Sequence, residues 1–213
     1  MADGMRHEFR TVHSWVATIA SVAALGVSGY NLAQLHESPK TDVTLPVSLK
    51  MSSDETGTSV FIQPTVFTRF DTEDVEMVTD VQLRLRPESA KPPWPDFYWR
   101  RNVKWSLRHD IKADDQTSTW WEYNSDPSPF TVTQATPQMP SIQFRTNNWA
   151  LAPGRYVGSL TLHRASTRHP VERPLCLVLR PQDITELKKG ESWYELRKDI
   201  PGKHQGGCYH WYE

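Results

Sequence analysis

The feature that most restricts the fold of this chain is an alternation of apolar and polar residues with a period of two. In its longest example the apolar positions are Val75, Met77, Thr79, Val81, Leu83 and Leu85. Successive side chains of a strand point to opposite faces of a sheet, so this pattern predicts a strand with one buried and one solvated face. It recurs over residues 43–190 as shorter runs: Val43–Leu49, Val60–Phe70 with a break at Pro64, 97–107, Thr119–Tyr123, Phe130–Thr133, 142–145, 156–162 and 175–179.

Segments rich in proline and polar residues separate these runs, and 16 prolines are spread over the chain. Eight or nine short strands joined by such turns predict an all-β fold, an antiparallel β-sandwich of two sheets over residues 43–190. One short helix is predicted after the last of these strands. Pro181 suits the first helical turn, Lys188 and Lys189 suit the last, and Gly190 suits the end. Residues 191–213 are expected to form a C-terminal tail.

The segment Ala152–Tyr156 has a Pro-Gly turn, with Tyr156 two residues after Gly154 and alternating apolar residues beyond. It resembles the tyrosine-corner strand of immunoglobulin-like and fibronectin-III-like sandwiches. The resemblance implies an Ig-like fold in which Gly154 and Tyr156 form a structural corner, with the Tyr hydroxyl bonded to nearby backbone. The Cys…Trp…Cys spacing of true immunoglobulin domains is absent, so only the sandwich architecture carries over.

The N-terminal region contains a second strong signal, because residues 11–36 include no Asp, Glu, Lys or Arg. About 20 helical residues cross the hydrocarbon core of a bilayer, so residues 11–35 are long enough for a transmembrane helix. Arg6 and Arg10 precede the segment, which by the positive-inside bias places residues 1–10 in the cytoplasm as a tail. The domain after the linker at 36–42 is then extracytoplasmic. This layout is similar to that of bacterial single-pass membrane proteins.

Two questions about this segment stay open at the level of sequence. A cleaved signal peptide has the same basic start and a shorter apolar stretch, so secretion after cleavage near Val27-Ser28-Gly29 is the alternative to a signal anchor. Ala20, Ala24 and Ser28 recur every four residues, a spacing that lets two membrane helices approach closely. The same spacing also arises by chance in a segment rich in alanine.

Composition and motifs exclude several classes of function. The net charge is −1, so no global positive field favours nucleic acid. The sequence has none of the common phosphate-binding, dinucleotide-binding, nucleophile-elbow or zinc-protease motifs, and we predict no catalytic residue, cofactor or metal. Cys208 lies near His204 and His210, but in a glycine-rich stretch that gives a metal site little support. Whether Cys176 and Cys208 form a disulfide is left open.

Aromatic residues give the candidate binding surfaces. The proline-rich segment at 91–98 offers Trp94, Phe97 and Tyr98 as a partner-binding loop, because prolines hold the backbone extended and reduce the entropy lost on binding. Glu122 beside Trp120 and Trp121 suggests a carbohydrate site, with Asp126 as a second carboxylate. A basic stripe on one strand is a third candidate, formed by Arg100, Lys104 and Arg108.

From these patterns we expect a membrane-anchored, extracytoplasmic β-sandwich that is not an enzyme and acts as an interaction module for a protein or an envelope component. A carbohydrate-binding or carbohydrate-cleaving domain is one alternative. A structural subunit of a membrane complex, held through the Ala20, Ala24 and Ser28 face, is another.

Overall fold

The structure of the protein, a computed structural model, describes residues 3–35, 40–69, 75–89, 94–109, 117–149, 151–190, 193–201 and 207–212. Of the predicted features, residues 91–93 of the proline-rich loop, most of the linker and His204 lie outside these ranges. The chain is mostly β-structure, with an apolar helix near the N-terminus and a short helix near the C-terminus.

Helix α1 (Asp3–Leu35) contains the predicted apolar segment. Its apolar window, Trp15–Ala33, has a mean hydropathy of 1.4, and the side chains of residues 15–33 are all exposed. The helix begins at Asp3 rather than near residue 11, because the residues that precede the apolar segment include good helix formers such as Met, Glu and Arg. The window is long and apolar enough for a membrane anchor or a signal sequence.

Thirteen strands are found in the described ranges. They are β1 (Thr41–Thr44), β2 (Ser48–Asp54), β3 (Gly57–Ile62), β4 (Thr65–Thr68), β5 (Glu76–Pro87), β6 (Tyr98–His109), β7 (Thr117–Ser125), β8 (Phe130–Val132), β9 (Ile142–Thr146), β10 (Gly154–Arg164), β11 (Val171–Leu179), β12 (Trp193–Arg197) and β13 (Tyr209–Trp211). Helix α2 (Pro181–Lys189) lies between β11 and β12. The break predicted at Pro64 is confirmed, since β3 ends at Ile62 and β4 begins at Thr65.

Eleven strands form one sheet in the order β7-β6-β9-β3-β2-β12-β13-β11-β10-β5-β8, and β1 pairs with β4 in a second small sheet. The large sheet curls into a half-barrel around the core. All strand pairs are antiparallel except β11 and β13. The predicted β-class is therefore confirmed. A curled sheet with a second small sheet is compatible with a sandwich. The prediction was two sheets, however, and eleven of the strands are hydrogen-bonded into one.

The alternation in β5 changes phase within the strand. Val81, Leu83 and Leu85 are buried as expected, but the N-terminal half buries Glu76 and Val78 and exposes Met77. The register with β10 is irregular at this point, where His163 pairs with Asp80 and Arg164 with Val78. An extra residue in one strand moves every following side chain to the other face. The buried Glu76 carboxylate accepts hydrogen bonds from Ser166.

The C-terminal region extends the sheet beyond residue 190, where sequence reasoning expects a tail. Strand β12 pairs with β2, and β13 lies between β12 and β11, so the two strands join the halves of the sheet. Helix α2 has the predicted ends, with Asp183 accepting from the backbone N–H of Arg180 and Gly190 in the left-handed region at φ 70°.

Cys176 of β11 and Cys208, next to β13, form a disulfide. The bond crosslinks the only parallel strand pair seen in the described sheet, a pair with only two register positions, Leu177 with Tyr209 and Val178 with His210. It therefore holds a three-residue strand that has few ladder hydrogen bonds of its own. The sulfur of Cys208 is used in this bond, so it is not free to bind a metal together with His204 and His210.

Candidate ligand-binding groove

The loop before β6 is fixed by an aromatic chain that starts at Phe97. Phe97 is only 9% exposed, and its ring meets Trp149 edge to face at 5.4 Å between centroids. Trp149 in turn meets Tyr156 at 5.1 Å. The Tyr156 hydroxyl donates to the carbonyl of Ala152 at 2.7 Å and accepts from the backbone N–H of the same residue at 3.0 Å. Phe97 is thus a core residue, and it is not part of the predicted partner-binding surface.

The two other residues of the predicted loop are exposed, but they lie at different surfaces. Trp94 is 43% exposed and lines a groove beside β5 and β10. Tyr98 is exposed beside Arg100 and lines a separate basin with Arg101 and Arg145. Residues 94–97 precede strand β6, and the buried Phe97 lies between the two exposed residues. The predicted loop therefore serves two surfaces rather than one.

The groove at Trp94 has a volume of about 930 Å³ and is the larger of the two. The outer faces of β5, β10 and β11 form its floor, and residues 94–96 form one wall. Its lining includes Arg84, Arg86, Trp94, Pro95, Asp96, Val157, Gly158, Ser159, Glu172 and Pro174. Two arginines and two acidic residues balance in charge, and the rest of this lining is largely apolar. A groove of this kind suits a ligand with both apolar and polar groups.

Contacts on both sides hold the wall in place. The Arg86 guanidinium lies over the Trp94 ring, 5.2 Å from its centroid, which is a cation–π geometry. The backbone N–H of Asp96 donates to the side chain of Asn148 at 3.1 Å. The indole is therefore positioned before any ligand arrives, so that little conformational entropy is lost on binding.

The floor depends on a close approach of two strands at Gly158. A Cβ added to Gly158 would lie 1.8 Å from the carbonyl oxygen of Arg84 on β5, much closer than any real contact. Glycine is therefore required at this point of the β5–β10 ladder. On β11, Pro174 pairs with Ser159 at a position beyond the two that β13 covers. Proline has no N–H to donate, so β11 forms fewer ladder hydrogen bonds at this position.

The other sequence-based candidates are dispersed. Trp120 is 51% exposed, whereas Trp121 lies on the opposite face of β7 beside Phe61, with 5.9 Å between ring centroids. Glu122 accepts from Ser106 at 3.3 Å on the exposed face. Trp120 and Trp121 therefore do not form one aromatic cleft around Glu122.

The predicted basic stripe is interrupted by two register irregularities in β6, one between Trp99 and Arg101 and one between Asn102 and Val103. Arg100 lines the Tyr98 basin and Lys104 lines a separate cavity, while the side chain of Arg108 lies outside the described residues. In α1, Ala20, Ala24 and Ser28 are all exposed at their four-residue spacing.

Sequence reasoning missed the groove floor and the role of β9. Gly158 is not part of a sequence motif, and glycine is required there because of β5, a partner strand 70 or so positions away. The one hint in the sequence is a glycine within an apolar strand pattern, which can indicate a close approach of two backbones. Gln143 and Arg145 lie at the polar positions of the β9 pattern, yet both are buried.

No family model matches this chain, and no curated protein or solved structure matches it significantly.

Proposed function

We propose that this chain is a membrane-anchored, extracytoplasmic binding module that recognises another envelope protein through the Trp94 groove. The observation that carries the proposal is the half-exposed Trp94, held over the groove by Arg86. Tryptophan and arginine dominate the binding energy of protein interfaces, particularly where they are positioned before binding. The balanced charges and apolar lining of the groove favour a polypeptide over a polyanion.

Two observations support the placement outside the cytoplasm. The Cys176–Cys208 disulfide suits an oxidising compartment, since cytosolic thiols are kept reduced. Arg6 and Arg10 precede the apolar window of α1, and by the positive-inside bias they favour a cytoplasmic N-terminus. The hydrogen bonds of Tyr156 to Ala152 support an Ig-like sandwich as the type of domain.

The topology is tested by protease protection in intact spheroplasts combined with N-terminal sequencing. A tethered outer domain is cut in intact spheroplasts and keeps its N-terminus. A new N-terminus near residue 29 instead shows cleavage and secretion, and protection of the domain places it in the cytoplasm.

The groove is tested by site-specific photo-crosslinking in the native membrane. A photoreactive residue at Glu172 is expected to capture a discrete protein partner, and Trp94→Ala is expected to weaken that capture at least tenfold. Trp120→Ala is the matched control, because it removes an equally exposed indole outside the groove. Capture that is unaffected by Trp94→Ala, or equally reduced by Trp120→Ala, contradicts the proposal.

A further inference from the structure

A second surface, the basin at Tyr98, has a different chemistry from the Trp94 groove. Its volume is about 400 Å³. The turn between β2 and β3 forms one side, β6 and β7 form the other, and β9 forms the floor. The lining residues that matter most are Asp54, Tyr98, Arg100, Arg101, Trp121, Gln143 and Arg145.

Arg145 is a buried cation that is fixed before any ligand binds. It is 9% exposed, and its guanidinium donates to Asp54 Oδ1 at 2.7 Å and to Ser59 Oγ at 3.2 Å. Thr56 accepts a further hydrogen bond from the same group. The hydrogen bond from Arg145 is the main reason that the pKa of Asp54 falls to about 2. Asp54 is therefore charged at physiological pH, and the pair stays intact.

The basin keeps a surplus of positive charge after this pairing. Three guanidinium groups, at positions 100, 101 and 145, share the basin with one carboxylate, so two positive charges are left over. Arg101 lies over the Trp121 ring at 5.6 Å and Arg100 donates to the Tyr98 hydroxyl at 3.4 Å. Within the described ranges neither of these two arginines has an acidic partner. Planar guanidinium groups of this kind pair well with a carboxylate.

Gln143 gives an independent sign of a missing ligand group. It is 3% exposed and its amide donates to Ser59 Oγ at 2.9 Å. Its carbonyl oxygen Oε1 is buried and accepts no hydrogen bond from any described residue. Buried acceptors of this kind are nearly always satisfied, so this one calls for a donor such as a hydroxyl.

Trp121 supplies an aromatic wall beside these polar groups. Its ring contacts Phe61, with 5.9 Å between centroids, and the Arg101 guanidinium already lies over part of it. Aromatic faces bind the apolar face of a ring, and a small inorganic anion makes no use of such a wall. The basin therefore combines three features: cations for an acid group, an acceptor for a hydroxyl and an aromatic wall for a ring.

We propose that this basin binds an acidic saccharide, with its carboxylate at Arg100 and Arg101, a hydroxyl donating to Gln143 Oε1 and a sugar ring beside Trp121. This site is separate from the Trp94 groove, and neither proposal depends on the other. Of the carbohydrate site predicted from Glu122, Trp120 and Trp121, this basin contains Trp121.

The test is calorimetric titration of the full chain in detergent micelles with trigalacturonate and, in parallel, with its methyl ester. The ester has the same rings without the charges. Binding of the acid at micromolar to millimolar concentration, at least tenfold tighter than the ester, is the expected result. Equal binding of both, or binding of neither, overturns the proposal.

Variants locate the site and separate its parts. Arg101→Gln is expected to weaken trigalacturonate at least tenfold, whereas Arg84→Gln, which removes an exposed arginine of the groove, leaves it unchanged. Gln143→Met is similar in size and removes the acceptor together with the N–H donor to Ser59, so it is expected to weaken trigalacturonate but not acetate. Equal affinity for acetate, phosphate and trigalacturonate would reduce the basin to a general anion site and overturn the saccharide assignment. Thermal unfolding of each variant shows whether it is folded, and Arg101→Gln, which is only partly buried, keeps the test decisive if Gln143→Met unfolds.

Discussion

Asp42 of β1 forms an ion pair with Arg173 of β11, although 131 residues separate them in the chain. The same carboxylate pairs with Arg69, so one mostly buried aspartate ties the small sheet to the large one directly after the linker. Arg173 also donates to the carbonyl oxygen of Val43 at 2.9 Å. The first strand of the domain is therefore held in place at its N-terminal end.

Asp42→Asn is expected to lower the free energy of unfolding by about 1–3 kcal/mol, because it removes charge-assisted hydrogen bonds to two arginines. Both arginines are partly exposed and can regain water, so the loss stays below that of a fully buried pair. Urea unfolding measures it. Glu88→Gln breaks the exposed pair with Arg155 and is the control, with an expected change below about 0.5 kcal/mol. If both variants changed the free energy of unfolding equally, the Asp42 ion pairs would contribute no more than an exposed pair.

Loss of the disulfide is expected to have a larger effect. Cys176 and Cys208 are 32 residues apart, and a loop of that length corresponds to about 3–4 kcal/mol in the chain-entropy account. The double variant Cys176→Ala/Cys208→Ala should therefore unfold at a markedly lower urea concentration. Reductant should destabilise the unmodified protein and leave the double variant unchanged. Mass spectrometry of the alkylated, non-reduced protein checks the pairing directly, and two labelled thiols would refute it.

The tyrosine corner gives a third prediction. Tyr156→Phe removes both hydrogen bonds to Ala152 while keeping the buried ring, so a loss of about 1–2 kcal/mol is expected in urea unfolding. Tyr123→Phe removes a hydroxyl from an exposed side chain and should change nothing measurable. A stability unchanged by Tyr156→Phe would mean that the hydroxyl is as well satisfied by water.

Stability should also depend on pH through Asp54. The hydrogen bond from Arg145 lowers the pKa of Asp54 in the folded protein from 3.8 to about 2. The unfolded chain therefore binds this proton first as the pH falls. The contribution of Asp54 is fully present above about pH 4 and is lost as the pH falls toward about 2.

Asp54→Asn should accordingly lose less stability than the unmodified protein between about pH 5 and about pH 2 in urea unfolding. Glu55→Gln, an exposed neighbour in the same turn, is the control and should follow the unmodified protein. Identical pH profiles for Asp54→Asn and the unmodified protein would contradict this assignment.

Local patterns predicted the β-class, the break at Pro64 and both ends of α2, because each depends on residues close in sequence. The phase change in β5 was not predictable, since it follows from an irregularity against β10 rather than from the apolar pattern itself. The burial of Phe97 was not predictable for the same reason. Its contact with Trp149 is made across the fold, and an exposed and a buried aromatic residue are indistinguishable in a proline-rich segment.

The candidate sites were predictable only in part. Trp94 and Tyr98 were found from their composition and setting, but the groove and the basin they line are assembled from strands far apart in the chain. Gln143 and Arg145 alternate with apolar residues, which predicts a solvated face. The curl of the sheet instead brings β6 and β7 over Gln143 and Arg145. The sequence of a five-residue strand does not reveal such curl.

The position of β12 and β13 between β2 and β11 has a consequence for the order in which the protein can fold. Strands made early in synthesis, from β2 to β11, can pair only into two separate ladders until residue 211 has been released. The large sheet then closes in a single late step through contacts between residues distant in sequence, which is slow. The two open edges stay exposed for that interval, so the incompletely folded chain is expected to be a client for a chaperone that covers unpaired strand edges.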